Sequence, residues 1–267
     1  MIEKPFATGL LTINCAEGAP NGPPFVMLHG ISARWQAMAS LIRPLEEHWQ
    51  VFACDLRGHG KSDRADSYRA IDYFPDVAAF VEGRVGTPVV LLGHSGGAIA
   101  VLGGAVQIPQ LVRAVVLLDP PICRREGSIQ DKNINIYMTG VLEVLAGRRD
   151  AQEFFRGIFP GIDEKRVHWF AETIDRVDPE AVRPLLDGRY FDGLDLQKLL
   201  ARAYCPVLML YGEPELGGMV RESDVRFFRA HTGDGTVVQI KESGHNLQMD
   251  QPERVLTAVS QWLEEVL

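Results

Sequence analysis

The 267-residue chain carries 27 Lys and Arg against 35 Asp and Glu, a formal net charge of −8, and is 46% hydrophobic and 23% charged. That composition excludes wholesale disorder and argues against a polyanionic partner, because nucleic-acid binding needs concentrated Lys and Arg. No apolar run approaches the ~18 residues of a membrane span. MIEKPFATGL lacks an apolar stretch after Lys4, so no secretory signal is expected and a cytoplasmic location is. Cys15, Cys54, Cys123 and Cys205 form no close Cys-x-x-Cys pair and are expected to be reduced, buried thiols.

In chain order, TGLLTINCA (8–16) predicts an early strand or hairpin arm, and EGAPNGPP a turn-rich connection. FVMLH (25–29) is a short apolar strand ended by Gly30. A helix over 36–47 and a strand over 49–54 follow. DLRGHGKSD (55–63) reads as a glycine-punctuated loop. Ile71, Phe74, Val77, Ala78, Val81 and Val85 recur near helical spacing and predict a helix over 71–84. PVVLL (88–92) is a strand buried on both faces, GGAIAVLGGAVQ a tightly packed helix, and LVRAVVLLD (111–119) the next strand. Apolar strands alternating with helices predict a parallel sheet. From 121 to 203 the pattern changes to helices, near 129–147, 150–157, 163–176, 179–187 and 194–202. The α/β alternation resumes with a strand over 206–211, a helix near 221–231, a strand over 236–240 and a last helix over 252–266. The expected organisation is one α/β core, 1–120 with 204–267, interrupted by a helical cap, 121–203.

Ser95 lies between Gly93 and Gly97 in LLGHSGGAIA, after a strand and before a helix. That is the spacing of G-x-S-x-G, a sharp turn that lifts a nucleophile off a sheet edge. A hydroxyl needs a base and an orienting acid to attack near neutral pH. His245, in ESGHNLQMD, is best placed as the base. GEPE (212–215) follows a strand and offers Glu215 as the acid, with Glu213 behind it. The chain order is Ser95, Glu215, His245.

MLHG (27–30), DLRGHGKSD (55–63), LLGHSGG (91–97) and GHNLQMDQPERV (244–255) together resemble the α/β-hydrolase fold family, in its capped, serine-nucleophile, esterase- or lactonase-like type, over residues 6–267. The resemblance implies a mostly parallel central sheet flanked by helices, with the cap inserted between two strands. It implies an oxyanion hole from the Ile31 and Gly96 N–H groups, His245 as base, and Glu215 at the acid position; some relatives place the acid after the preceding strand, where Asp119 in LLDPP is the alternative acid. Two departures stand out. The usual acid is Asp, and the commoner elbow in this branch reads G-H-S-M-G-G; Gly96 in place of a larger residue predicts a roomier pocket floor.

Other conspicuous residues have plainer readings. His29 is expected to orient the oxyanion loop. His59 with Gly58 and Gly60 forms a turn framework, with Asp55 and Arg57 bonding loops locally. His94 is expected to pack. No H-E-x-x-H occurs, G58-H-G-K-S62 is three residues short of a phosphate loop, and no G-x-G-x-x-G follows an early strand, so neither a metal nor a cofactor is expected. The cap aromatics Tyr137, Phe154, Phe155, Phe159, Trp169, Phe170 and Phe191 predict an apolar cavity. Tyr137, Phe155 and Trp169, with Trp35 from the core, are its candidate walls. Ser at the elbow argues against dehalogenase and epoxide-hydrolase chemistry, which in this family uses Asp there. The expected partner is a small, moderately hydrophobic molecule, and the expected reaction is hydrolysis of its carboxylic ester or lactone. Amide or carbon–carbon cleavage by the same residues, and non-catalytic binding, are the alternatives.

Overall fold

A computed structural model of the chain describes residues 1–122 and 129–267. Eight strands form one sheet: β1 (Ile2–Ala7), β2 (Thr12–Glu17), β3 (Pro24–Leu28), β4 (Gln50–Cys54), β5 (Val89–His94), β6 (Val112–Leu118), β7 (Val207–Tyr211) and β8 (Gly235–Gln239). Their order is β1-β2-β4-β3-β5-β6-β7-β8. β1 and β2 form an antiparallel hairpin, β2 joins β4 antiparallel, and all later pairings are parallel. The expected mostly parallel sheet is therefore present, with an antiparallel hairpin on one edge. Its outer strand, IEKPFA, carries no continuous apolar run, is mostly exposed and is paired on one side only, so it gives no strand signal in sequence.

Helices α1 (Ala39–Leu45), α2 (Phe74–Phe80) and α3 (Gly96–Gln107) connect the first parallel strands. α1 is led in by a 3-10 turn, Trp35–Met38, and α2 by another, Ala70–Tyr73. Between β6 and β7 the chain leaves the sheet for α4 (Ile129–Leu145), α5 (Ala151–Ile158), α6 (Glu164–Ile174), α7 (Pro179–Leu186) and α8 (Leu196–Ala201). Asp150, Asp163, Asp178 and Asp195 each cap the next of these helices by accepting from a backbone N–H. Such caps contribute about 0.5–2 kcal/mol apiece. α9 (Glu222–His231), α10 (Leu247–Asp250) and α11 (Pro252–Val266) complete the core.

The site is positioned by the centre of this sheet. β5 has every residue buried, and Val89, Val90, Leu91 and Leu92 are fully enclosed between the two helical layers. Burial of that kind is worth about 1.5–3 kcal/mol per side chain and fixes β5 rigidly. Since β3 to β8 run parallel, their C-terminal ends open on one edge, where α/β sheets assemble their sites. Loops leaving β3, β5, β6 and β8 there carry Ile31, Ser95, Asp119 and His245.

The expectation of reduced thiols is corrected at one pair. Cys15 and Cys54 stand opposite each other in the β2–β4 register and are joined as a disulfide. Their 39-residue separation gave no hint of this; strand pairing brings them together. Cys205 is free and buried, and burial pushes its thiol up to about 11. Cys123 lies outside the described residues. Among the described residues, no helix is long and apolar enough to cross a membrane, and no group of three or more His, Cys, Asp or Glu could hold a metal.

Candidate active site

Ser95 directly follows β5 and stands at the N-cap of α3, at φ 53° and ψ −120°. A non-glycine residue there carries about 1–3 kcal/mol of backbone strain. The turn is held by Ser95 N–H donating to the Leu118 carbonyl at 2.9 Å and by Ala98 N–H donating to the Ser95 carbonyl at 3.0 Å. Its glycines are required by close approach. A Cβ on Gly93 would overlap the Gly97 carbonyl, and one on Gly97 would overlap the His29 carbonyl. The elbow is thus pressed against both α3 and the loop after β3.

His245 donates from Nδ1 to Asp119 Oδ2 at 2.7 Å. This leaves Nε2 as the acceptor nitrogen of a half-buried ring. Asp119 is fully buried at φ 42° and also accepts from Met219 N–H at 2.8 Å and Gly212 N–H at 3.3 Å. The carboxylate bonded to His245 is therefore that of Asp119, not Glu215, and the preference given to Glu215 is corrected. Glu215 is exposed in the 3-10 turn Pro214–Leu216. Glu213 Oε1 accepts instead from the Glu242 N–H and lies 3.8 Å from Lys241 Nζ. β6 and β7 are adjacent in the sheet, so an acid at either C-terminal end lies near the same histidine. The GEPELGGM segment contributes backbone N–H groups to the arrangement rather than a carboxylate.

Three further histidines hold the loops. His94 Nε2–H donates to the His245 carbonyl at 2.9 Å, with the two rings 4.6 Å apart. It thereby ties the segment bearing His245 to the residue beside Ser95, a role beyond the packing expected of it. His29 donates from Nδ1 to the Gly30 carbonyl at 2.7 Å and accepts the Leu56 N–H at Nε2, 3.0 Å away. His59 accepts the Ser32 N–H at 3.1 Å and donates to the Arg57 carbonyl at 2.8 Å. DLRGHGKSD is thus the clamp on the loop that carries Ile31. Asp55 extends the clamp by accepting from Trp35 N–H and Lys61 N–H, and Arg57 pairs with Asp76.

Both clamping histidines must be neutral to accept as they do. Burial lowers His29 from 6.5 to about 4 and His59 to about 3. Below pH ~6.5 the unfolded chain takes up protons at both positions, while the folded chain cannot until about pH 4 and 3. Their contribution is therefore complete above pH 6.5 and is lost as pH falls toward 4. By pH 5 each removes about 2 kcal/mol of stability. Urea midpoints at pH 7.5 and pH 5.0 should show the drop, and H59N should flatten it. A midpoint constant across that range would contradict neutral clamps.

Gly96 directly follows Ser95, and Ile31 follows Gly30, on which a Cβ would stand 3.1 Å from Ser95 Cβ; among the described residues neither the Ile31 nor the Gly96 N–H donates to a protein acceptor. The Ile31 side chain is buried against Gly96. A Cβ on Gly96 would meet Ile31 Cγ1 and the Tyr190 hydroxyl, each at 2.8 Å. The roomier floor expected from Gly96 is therefore not open: Ile31 and Tyr190 occupy it. Of the expected walls, Tyr137 bonds through its hydroxyl with Ser32 Oγ at 3.2 Å, directly after Ile31. Phe155 is fully buried and stacks on Phe170 at 5.1 Å, making it cap core. Trp169 meets Phe170 edge-on at 5.0 Å and is half-buried. Trp35 donates its indole N–H to Glu3 of β1 at 2.7 Å.

The family described as "Alpha/beta hydrolase family" matches residues 25–258, and the chain belongs to it. It is 26% identical to 2-(acetamidomethylene)succinate hydrolase of Mesorhizobium japonicum, covering 96% of this chain and 93% of that protein. It is 27% identical to (E)-2-((N-methylformamido)methylene)succinate hydrolase of Acinetobacter baylyi, covering 91% of each. The solved structure of N-formylmaleamic acid deformylase from Pseudomonas putida S16 superposes with a TM-score of 0.82 at 22% identity, over 97% of this chain and all of that one. The chain is a hydrolytic enzyme of the α/β-hydrolase fold.

Proposed function

We propose that the chain is a serine hydrolase cleaving an amide-type carbon–nitrogen bond of a small, carboxylate-bearing molecule. The observation that carries the catalytic part is the 2.7 Å bond between His245 Nδ1 and buried Asp119, with the His245 backbone tied by His94 to the residue before a serine in a strained elbow. In this reading His245 Nε2 takes the Ser95 proton as Oγ attacks the acyl carbon. The Ile31 and Gly96 N–H groups receive the oxyanion at the positive end of α3. Asp119 holds the tautomer with its proton on Nδ1 and stabilises the imidazolium. The imidazolium then gives its proton to the leaving nitrogen. Water, deprotonated by His245, releases the acid and restores Ser95.

The choice of bond is supported by the relatives, whose names carry acetamido, formamido or N-formyl groups on four-carbon acids. The amide alternative therefore stands ahead of the ester or lactone reading. A panel of N-formylmaleamate, 2-(acetamidomethylene)succinate, monomethyl maleate and neutral N-alkyl acetamides tests the order. Turnover of at least one carboxylate-bearing amide, and none of the neutral amides, is expected. Rapid hydrolysis of the ester with no amide turned over would put the ester reading back in first place.

A further inference from the structure

Tyr190 belongs to the cap, in the 3-10 turn Arg189–Phe191 between α7 and α8. It is 1% exposed, and among the described residues its hydroxyl has no hydrogen-bond partner. A buried hydroxyl left unmade costs about 1–3 kcal/mol, so a fold that retains one needs a reason for it. Its position supplies one. The hydroxyl lies 2.8 Å from where a Cβ on Gly96 would stand. Any other residue at 96 would push it away, so the missing side chain after the nucleophile and the reach of Tyr190 are two halves of one arrangement. Burial also raises the phenol, which keeps it protonated and able to donate.

We propose that Tyr190 is a substrate-contacting residue whose O–H is donated to a carboxylate oxygen carried beside the bond that Ser95 attacks. The inference rests on the serine-hydrolase reading above. Two features favour an anionic oxygen over a neutral one. The hydroxyl sits at the first residue of α3, a 12-residue helix whose N-terminal end favours negative charge. A donor without a protein acceptor also makes a stronger bond to a charged oxygen than to a neutral one. The cap thereby reads the substrate from above while the elbow reacts with it from below, and the hydroxyl gains its partner only when the carboxylate is seated.

The test is protection of Ser95 from diethyl p-nitrophenyl phosphate by maleate, with the neutral diamide of maleate as comparator. Each protein is referred to its own labelling rate without ligand. Maleate is expected to protect the native chain, and Y190F to need at least tenfold more maleate for equal protection. The diamide should show no such difference. A purely structural hydroxyl would move the thermal midpoint of Y190F and leave the protection constant alone. Equal protection in both proteins, or protection no better by maleate than by the diamide, overturns the proposal. Failure of the phosphate reagent to label Ser95 in the native chain instead removes the serine-hydrolase reading beneath it.

Discussion

D119N is expected to lower kcat by about 10³- to 10⁴-fold while E215Q changes it less than twofold. Asp119 accepts three donors at once: His245 Nδ1–H, Met219 N–H and Gly212 N–H. An amide in its place has one oxygen for those donors and turns an NH2 toward one of them. If that one is Nδ1, the imidazole must move its proton to Nε2 and can no longer take one from Ser95. The ring and backbone would stay in place, so the loss should fall on kcat rather than on KM. Glu215 points into solvent and touches neither group. Steady-state kinetics on any turned-over substrate checks this, and a large loss confined to E215Q would overturn the assignment of the acid.

S95A is expected to lower kcat by about 10⁵- to 10⁶-fold, since no other hydroxyl replaces the attacking oxygen and the remaining groups act only with it. Stability should move the other way in a companion variant. The backbone at 95 is held at φ 53°, which glycine adopts freely. S95G should therefore unfold at higher urea than S95A, by about 1 kcal/mol after the added chain entropy is subtracted. An active site that stores strain predicts this opposition of activity and stability. Equal midpoints for S95G and S95A would show that the elbow is relaxed.

The parts of this molecule that were legible in sequence are those whose signal is local. An apolar run, glycines on either side of Ser95 and small residues behind it define β5, the elbow and α3, because close approach leaves few other residues possible. His245 was legible for a similar reason, standing in a loop between the last strand and the last helix. The misjudged features depend on what lies across the sheet. Asp119 and Glu215 end neighbouring strands, and chain order is the same for both. Cys15 meets Cys54 only through the β2–β4 register. The bond from the Trp35 indole N–H to Glu3 likewise reaches a strand with no clear sequence signal. Gly96 read as vacant space until Tyr190, 94 residues later in the chain, was seen to fill it.

The central claim is that Ser95 becomes acylated during turnover. Mixing the native chain with p-nitrophenyl acetate, quenching in acid during the pre-steady-state phase and mapping peptides by mass reads that event directly. A burst of p-nitrophenol near one equivalent per chain, with an acetyl group on the peptide carrying Ser95 and on no other, is the predicted result. Steady turnover with no acetyl at Ser95, or native-rate turnover by S95A, would contradict it.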